Sequence, residues 1–212
     1  RCRVNEDKLL SAPYCVDNRF FSDGAARARQ SGELDILREK LDISPADKII
    51  LYTGKLIPRK RPLDPIIAVK NLPQNLNAVL IVVGDGILME DVKNAAGNNP
   101  RIRLVGFINQ REIVRYYALA DIFVLPSGYE TWGLAANEAM ASRLPVIISR
   151  GCSCWPDLIV PGETGYSYLP GDRKELIRLL TLLLTDDNLR VRMAENAREK
   201  ISEFSVERTV GA

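Results

Sequence analysis

Short apolar runs alternating with amphipathic stretches from Lys48 onward predict an α/β fold, a mainly parallel sheet with helices packed on its faces. Three observations carry that prediction. Five runs of four to six residues are apolar, each is followed by a turn rich in glycine or proline, and a stretch of helical character comes after each turn. Connections of this kind make right-handed crossovers between parallel strands.

Residues 1–45 read differently from the rest. Pro13 to Asn18 is an extended segment and turn, and Gly24 to Leu41 is a charged helix with a thin apolar stripe; together they read as a linker or interdomain segment. Residues 46–212 form the α/β domain. Its first strand, Ile49–Thr53, leads through a basic turn to a helix over Leu63–Lys70. The second, Ala78–Val83, ends at Gly84-Asp85-Gly86 and is followed by a helix near Leu88–Ala96. The third, Arg101–Val105, ends at Gly106 and precedes a helix over Arg111–Ala120. Ile122–Leu125 and Pro145–Ser149 are the fourth and fifth strands, separated by a helix from Trp132 to Ser142. A short sixth strand is expected at Gly165–Leu169. The tail is helical: Arg173–Leu184 has a broad leucine face, and Asp186 or Asp187 caps a further helix through Ser202.

Bulk composition narrows the function classes. The 212 residues are 46% apolar and 26% charged, as in an ordinary globular chain, and the net charge of +2 gives no reason to expect a nucleic-acid partner. No run of 18 apolar residues suggests a membrane span. The first residues lack an apolar signal region and an initiator Met, so the chain reads as a piece of a longer one. Cys2, Cys15, Cys152 and Cys154 read as free thiols of a cytoplasmic protein. The Cys-Ser-Cys spacing does not suit a structural zinc site, and there is no histidine to complete a mixed set; four thiolates meeting in space are the alternative to free thiols. The absence of histidine also excludes Ser-His-Asp and Cys-His catalysis within the chain.

The informative stretch is Ala120 to Ser149. A Pro-Ser-Gly turn places Glu130 at the carboxyl end of the fourth strand, a helix starts around Gly133 and Leu134, and Glu138 follows eight residues after Glu130. In open α/β sheets ligands bind at that end of the strands, where a helix N-terminus offers N–H groups to an anion. The spacing is not specific, since Glu195 and Glu203 share it on a solvated helical face; the strand and glycine beside Glu130 are what mark it out. After the first strand, Lys55, Arg59, Lys60 and Arg61 form a basic turn on the same rim, able to neutralise a diphosphate. A phosphate site flanked by two carboxylates suits a ligand with a phosphate and several hydroxyls, such as a nucleotide-sugar. Gly84-Asp85-Gly86 lacks the third glycine of a dinucleotide fingerprint and reads as a tight turn. Trp132 reads as functional through its backbone, with its ring either core or platform, and Asp121 reads as a turn or cap residue.

The chain resembles the carboxyl-terminal, donor-binding domain of group 1 (family 4) retaining glycosyltransferases of GT-B fold, a Rossmann-like three-layer α/β/α domain. The resemblance runs from about Pro13 to about Ser202 on Gly54-Lys55-Leu56-x-x-x-Lys60, Val83-Gly84-Asp85-Gly86, Val105-Gly106-Phe107, Ala120–Ser127, Glu130-x7-Glu138-Ala139-Met140-Ala141, Leu144–Ile147 and Pro161-Gly162-x-Thr164-Gly165-Tyr166. It implies that Glu130 contacts the transferred sugar and Glu138 the ribose hydroxyls. It implies that Lys55 and Lys60, with the backbone N–H groups of Gly133 and Leu134, bind the diphosphate, and that the backbone around Phe107 and Ile108 holds the base. It further implies a UDP-, GDP- or ADP-sugar donor, no metal or other cofactor, and retention of configuration. Its partners would be a glycan or lipid-linked acceptor and an amino-terminal domain that this chain lacks. The full-length enzyme would sit in the cytoplasm or at the inner face of the membrane. Lys55 stands where many members have Arg, and the Gly151–Asp157 segment is longer than the usual turn. A related epimerase, a phosphorylase, a silent binding module and a redox Rossmann domain are the rival readings; no lysine is marked for pyridoxal phosphate, and the glycine motif is incomplete for a dinucleotide.

Overall fold

The computed structural model describes residues 14–210; Cys2 and Pro13 lie outside them. Six strands, β1 (Lys48–Thr53), β2 (Ala78–Val83), β3 (Ile102–Gly106), β4 (Ile122–Leu125), β5 (Val146–Ser149) and β6 (Gly165–Tyr168), form one sheet in the order β3-β2-β1-β4-β5-β6. Every pairing is parallel. The chain builds outward from β1 to β3, then returns to the other side of β1 with β4. The β1–β4 junction is therefore the topological switch point, where a crevice opens beyond the strand ends.

The four inner strands, β1, β2, β4 and β5, are near-continuous apolar runs because both faces of the sheet are covered there. Alternate residues serve the two layers. Ile49 and Leu51 of β1 join a core with α1 (Asn18–Gln30), α5 (Gln110–Leu119) and α6 (Leu134–Ala141). Ile50 and Tyr52 join the opposite core with α3 (Leu63–Lys70), α4 (Met89–Ala96) and α8 (Arg173–Thr185). The long α9 (Asp187–Ile201) supplies Met193 to the second core and Ala197 and Ile201 to the first. The short α7 (Trp155–Leu158) and α10 (Val206–Val210) complete the chain with α2 (Glu33–Lys40).

Most expected elements lie within two residues of their sequence-based bounds, and the differences have local causes. The single charged helix expected over Gly24–Leu41 is two helices, interrupted at Ser31-Gly32, where Gly32 takes φ of +77°. Phe21, Ala25 and Ala28 of α1 are fully buried beneath α5 and α6. The helix expected from Trp132 begins only at Leu134, because Gly133 sits at φ +112° as its N-cap. Asn109 sets the start of α5 by accepting from the backbone N–H groups of Arg111 and Glu112. Asp172 and Asp186 cap α8 and α9 in the same manner. Among the described residues, no helix is long and apolar enough to cross a membrane.

Candidate active site

The loops at the carboxyl ends of β1, β4 and β5 are tied to one another by their backbones. Gly128 N–H donates to the Arg59 carbonyl at 2.7 Å, Glu130 N–H to Gly151 at 2.9 Å, and Ser153 N–H to Glu130 at 3.1 Å. This stitching draws together side chains from three loops at the switch point. The Lys60 ammonium forms an ion pair with Glu130 Oε1, Arg59 donates to Oε2 at 3.2 Å, and Ser127 Oγ donates to Oε1 at 3.1 Å. Glu130 is only 7% exposed. The sequence reading expected this carboxylate to face a ligand; in the structure it is already held by two cations and a hydroxyl, as a buried charge must be. Burial, and then the charge of Arg59, press the Lys60 ammonium below its ordinary pKa. The neighbouring Glu138 carboxylate pulls it the other way.

Glu138, on the second turn of α6, belongs to the same cluster. Its half-buried carboxyl accepts from the Tyr117 hydroxyl at 2.6 Å, and Tyr117 in turn lies 2.9 Å from Thr53 Oγ1 at the end of β1. Burial raises the Glu138 pKa, while the Tyr117 hydrogen bond and the Lys60 charge pull it back down. Between the two acids lies the start of α6. Among the described residues the backbone N–H groups of Gly133 and Leu134 have no acceptor, the ordinary condition of a helix N-terminus open to an anion. Gly133 is required there: a Cβ would come within 2.9 Å of Leu125 Cδ2 and 3.4 Å of Cys154 Sγ. Cys152 and Cys154 lie fully buried beneath this turn as free thiols, and burial pushes Cys152 up to about 12 against the pull of Lys60.

Beside the cluster opens a cleft of about 700 Å³, lined by Gly54, Lys55, Gly84, Asp85, Ile87, Phe107 and Ile108 among others. Lys55 therefore faces this cleft rather than the Glu130 ion pairs. Phe107 and Ile87 are largely exposed at its mouth. Its floor is made by backbones in direct contact: Gly54 N–H donates to Val83, Leu56 N–H to Asp85 and Leu88 N–H to Leu56. A Cβ on Gly84 would lie 1.9 Å from the Gly54 carbonyl. The Gly-Asp-Gly turn thus serves close approach of two loops, which is why its glycine pattern is not that of a dinucleotide motif.

Trp132 turns away from the cluster. Its ring packs against Tyr14 at 5.5 Å and Phe204 at 5.9 Å, and its Nε1 donates to Asn137 Oδ1 at 2.9 Å. Asp121 is at the opposite end of the sheet, accepting from Ile49 N–H. Sequence reasoning did not pick out Ser127 or Arg59 as partners of Glu130, nor Tyr117 and Thr53 as those of Glu138. The only sequence signal for the first pair was membership of the same Pro-Ser-Gly and basic turns; Tyr117 carried none beyond a buried helical position. Among the described residues no cluster of three His, Cys, Asp or Glu could hold a metal ion.

A family model described as glycosyl transferases group 1 matches residues 34–200. A D-inositol 3-phosphate glycosyltransferase of Corynebacterium efficiens is 34% identical over 95% of this chain and 49% of its own length. The chain spans about half or less of the length of the curated relatives it matches. Among solved structures, sucrose-phosphate synthase of Thermosynechococcus elongatus superposes with a TM-score of 0.78 at 26% identity, over 94% of this chain and 50% of that one. The Anabaena HepE protein in complex with UDP-glucose shares the fold, with a TM-score of 0.77 at 21% identity, over 92% of this chain and 53% of that one. The fold is the Rossmann-like half of a GT-B glycosyltransferase, and the chain belongs to the group 1 glycosyltransferases.

Proposed function

We propose that this chain is the donor-binding half of a retaining glycosyltransferase and takes a nucleoside-diphosphate sugar without a metal ion. The observation that carries the reading is the meeting of Lys60, Glu130, Glu138 and the open start of α6 at the switch point, beside a largely apolar cleft. The base fits the cleft between Gly84 and Phe107, with Lys55 at the passage toward the phosphates. The diphosphate lies between Lys60 and the N–H groups of Gly133 and Leu134. The ribose hydroxyls fall to Glu138, and the sugar hydroxyls to Glu130. In the transfer step the bond from the anomeric carbon to the diphosphate oxygen breaks and its electron pair stays with the diphosphate. Lys60 and the helix start stabilise that developing charge. The acceptor oxygen bonds to the same carbon on the same face, and its proton passes to the departing phosphate oxygen, a route that needs no histidine. The acceptor, a glycan or lipid-linked sugar, is held by a second domain, so residues 1–212 alone bind donor without transferring it.

Calorimetry with UDP, GDP and ADP tests the reading. Micromolar binding of one of them supports a donor site; millimolar or weaker binding of all three refutes it. Lys60→Ala should weaken the preferred diphosphate by roughly ten- to hundredfold, the loss of one charge-assisted hydrogen bond, and leave the bare nucleoside unchanged. Equal loss for both would remove Lys60 from the phosphate site.

A further inference from the structure

We propose that Tyr117, with Thr53 behind it, is a positioning residue for Glu138, fixing which lone pairs of that carboxylate meet the ribose. The inference rests on the assignment of Glu138 to the ribose and adds the element that makes it selective. Tyr117 is fully buried, yet it does not simply fill the core. Its ring is wedged edge-on against Phe21 at 5.8 Å and tilted against Phe123 at 5.7 Å, which leaves the phenol no freedom to swing away. Its hydroxyl donates to Glu138 Oε2 at 2.6 Å. An ionised carboxylate can only accept, so the single phenolic proton is committed to Glu138, and the 2.9 Å contact with Thr53 has the threonine as donor. A directional chain therefore runs from the end of β1, through α5, to α6. It takes up one lone-pair direction on Oε2, and Oε1 makes no hydrogen bond among the described residues.

Two hydroxyls on adjacent ribose carbons call for a carboxylate held in one orientation. A freely rotating Glu side chain would lose that geometry and spend rotamer entropy on binding. The chain also controls charge. Lys60, from the turn after β1, and Tyr117, from α5, are the groups that favour the ionised form of Glu138 against its burial. Without the phenol, Glu138 takes up a proton at higher pH and becomes a weaker acceptor.

The test measures UDP and 2′-deoxy-UDP binding by calorimetry across pH 5–8 for the wild-type chain, Tyr117→Phe, Thr53→Val, Glu138→Gln and the Tyr117→Phe/Glu138→Gln double variant. Tyr117→Phe should weaken UDP about tenfold and change 2′-deoxy-UDP little. Its ribose preference should fade at a higher pH than in the wild type, and the double variant should be no worse than Glu138→Gln. If Glu138→Gln weakens both nucleotides equally, the ribose assignment itself fails. If Glu138→Gln is selective but Tyr117→Phe weakens both alike, or shifts no pH profile, Tyr117 is only a core residue and the proposal is overturned. Should Tyr117→Phe not fold, Thr53→Val decides: a smaller loss confined to UDP supports the chain, and no selectivity refutes it.

Discussion

Glu130→Gln separates the two jobs of the Lys60–Glu130 pair. In the free protein Lys60 is spoken for: its ammonium rests on a carboxylate that is 9% exposed in its side chain, and its own side chain is 18% exposed. At an effective dielectric constant of about 20, opposite charges in contact attract by roughly 4 kcal/mol. The amide of Gln keeps the shape and one acceptor, so the net loss of folding stability is about 2 kcal/mol, a drop of roughly 4–8 °C in melting temperature for a chain of this size. A diphosphate arriving in the wild type must share Lys60 with Glu130, whereas in the variant it finds the cation unpaired. Free nucleoside diphosphate should consequently bind Glu130→Gln about three- to tenfold more tightly, near 1 kcal/mol, while the sugar-bearing donor gains less because its hydroxyls lose their carboxylate. Thermal unfolding with and without ligand, combined with calorimetry, reads both effects. If the variant binds the free diphosphate as poorly as Lys60→Ala, Glu130 supports the phosphate site instead of competing for it, and the reasoning fails.

Three further substitutions address the scaffold. Gly133→Ala forces a side chain into φ +112° against Leu125 and should cost about 1–3 kcal/mol, seen as a lower urea midpoint together with weaker diphosphate binding. Asp64 is 2% exposed and joins Arg61 at 2.6 Å to Arg173 at 2.8 Å, so Asp64→Asn should destabilise by roughly 3 kcal/mol in chemical denaturation. Asp187, held by Lys48 and Arg190, has its pKa lowered from 3.8 to about 2. Its stabilisation is thus complete above about pH 4 and is lost as pH falls through the folded value. Being exposed, the pair is screened by salt; Asp187→Asn should flatten the acid limb of a stability profile at low ionic strength and change nothing at neutral pH in high salt.

The strands were readable because parallel strands covered on both sides must be apolar at every position, as Ala78–Val83 and Ile122–Leu125 are. Caps were readable where an acid precedes a periodic run, as at Asp186. The start of α6 was not, since helical character continues back to Trp132 and only the positive φ of Gly133 displaces the first turn. The break between α1 and α2 hid for a similar reason: Ser31-Gly32 carries no proline and the charges run on across it. For the site, the basic turn and both acids lay in plain view, but their partners did not. Lys60 and Glu130 are seventy residues apart, and Tyr117 meets Glu138 across two elements; neither contact leaves a trace in local spacing. The family resemblance sent both Lys55 and Lys60 to the diphosphate. The 3₁₀ turn at Pro58–Lys60, closed by Arg61 at φ +50°, sends them to different neighbours.

The packing of Trp132 reaches beyond its own ring. Tyr14 lies on one side and Phe204 on the other, Asn137 donates to the Tyr14 carbonyl, and Asn18 donates to the carbonyls of Ile201 and Phe204. One indole therefore clasps the first and last described stretches of the chain, and its next neighbour in sequence is the glycine that opens α6. The first and last described stretches thus share a single anchor with the start of α6, the residue directly before Gly133.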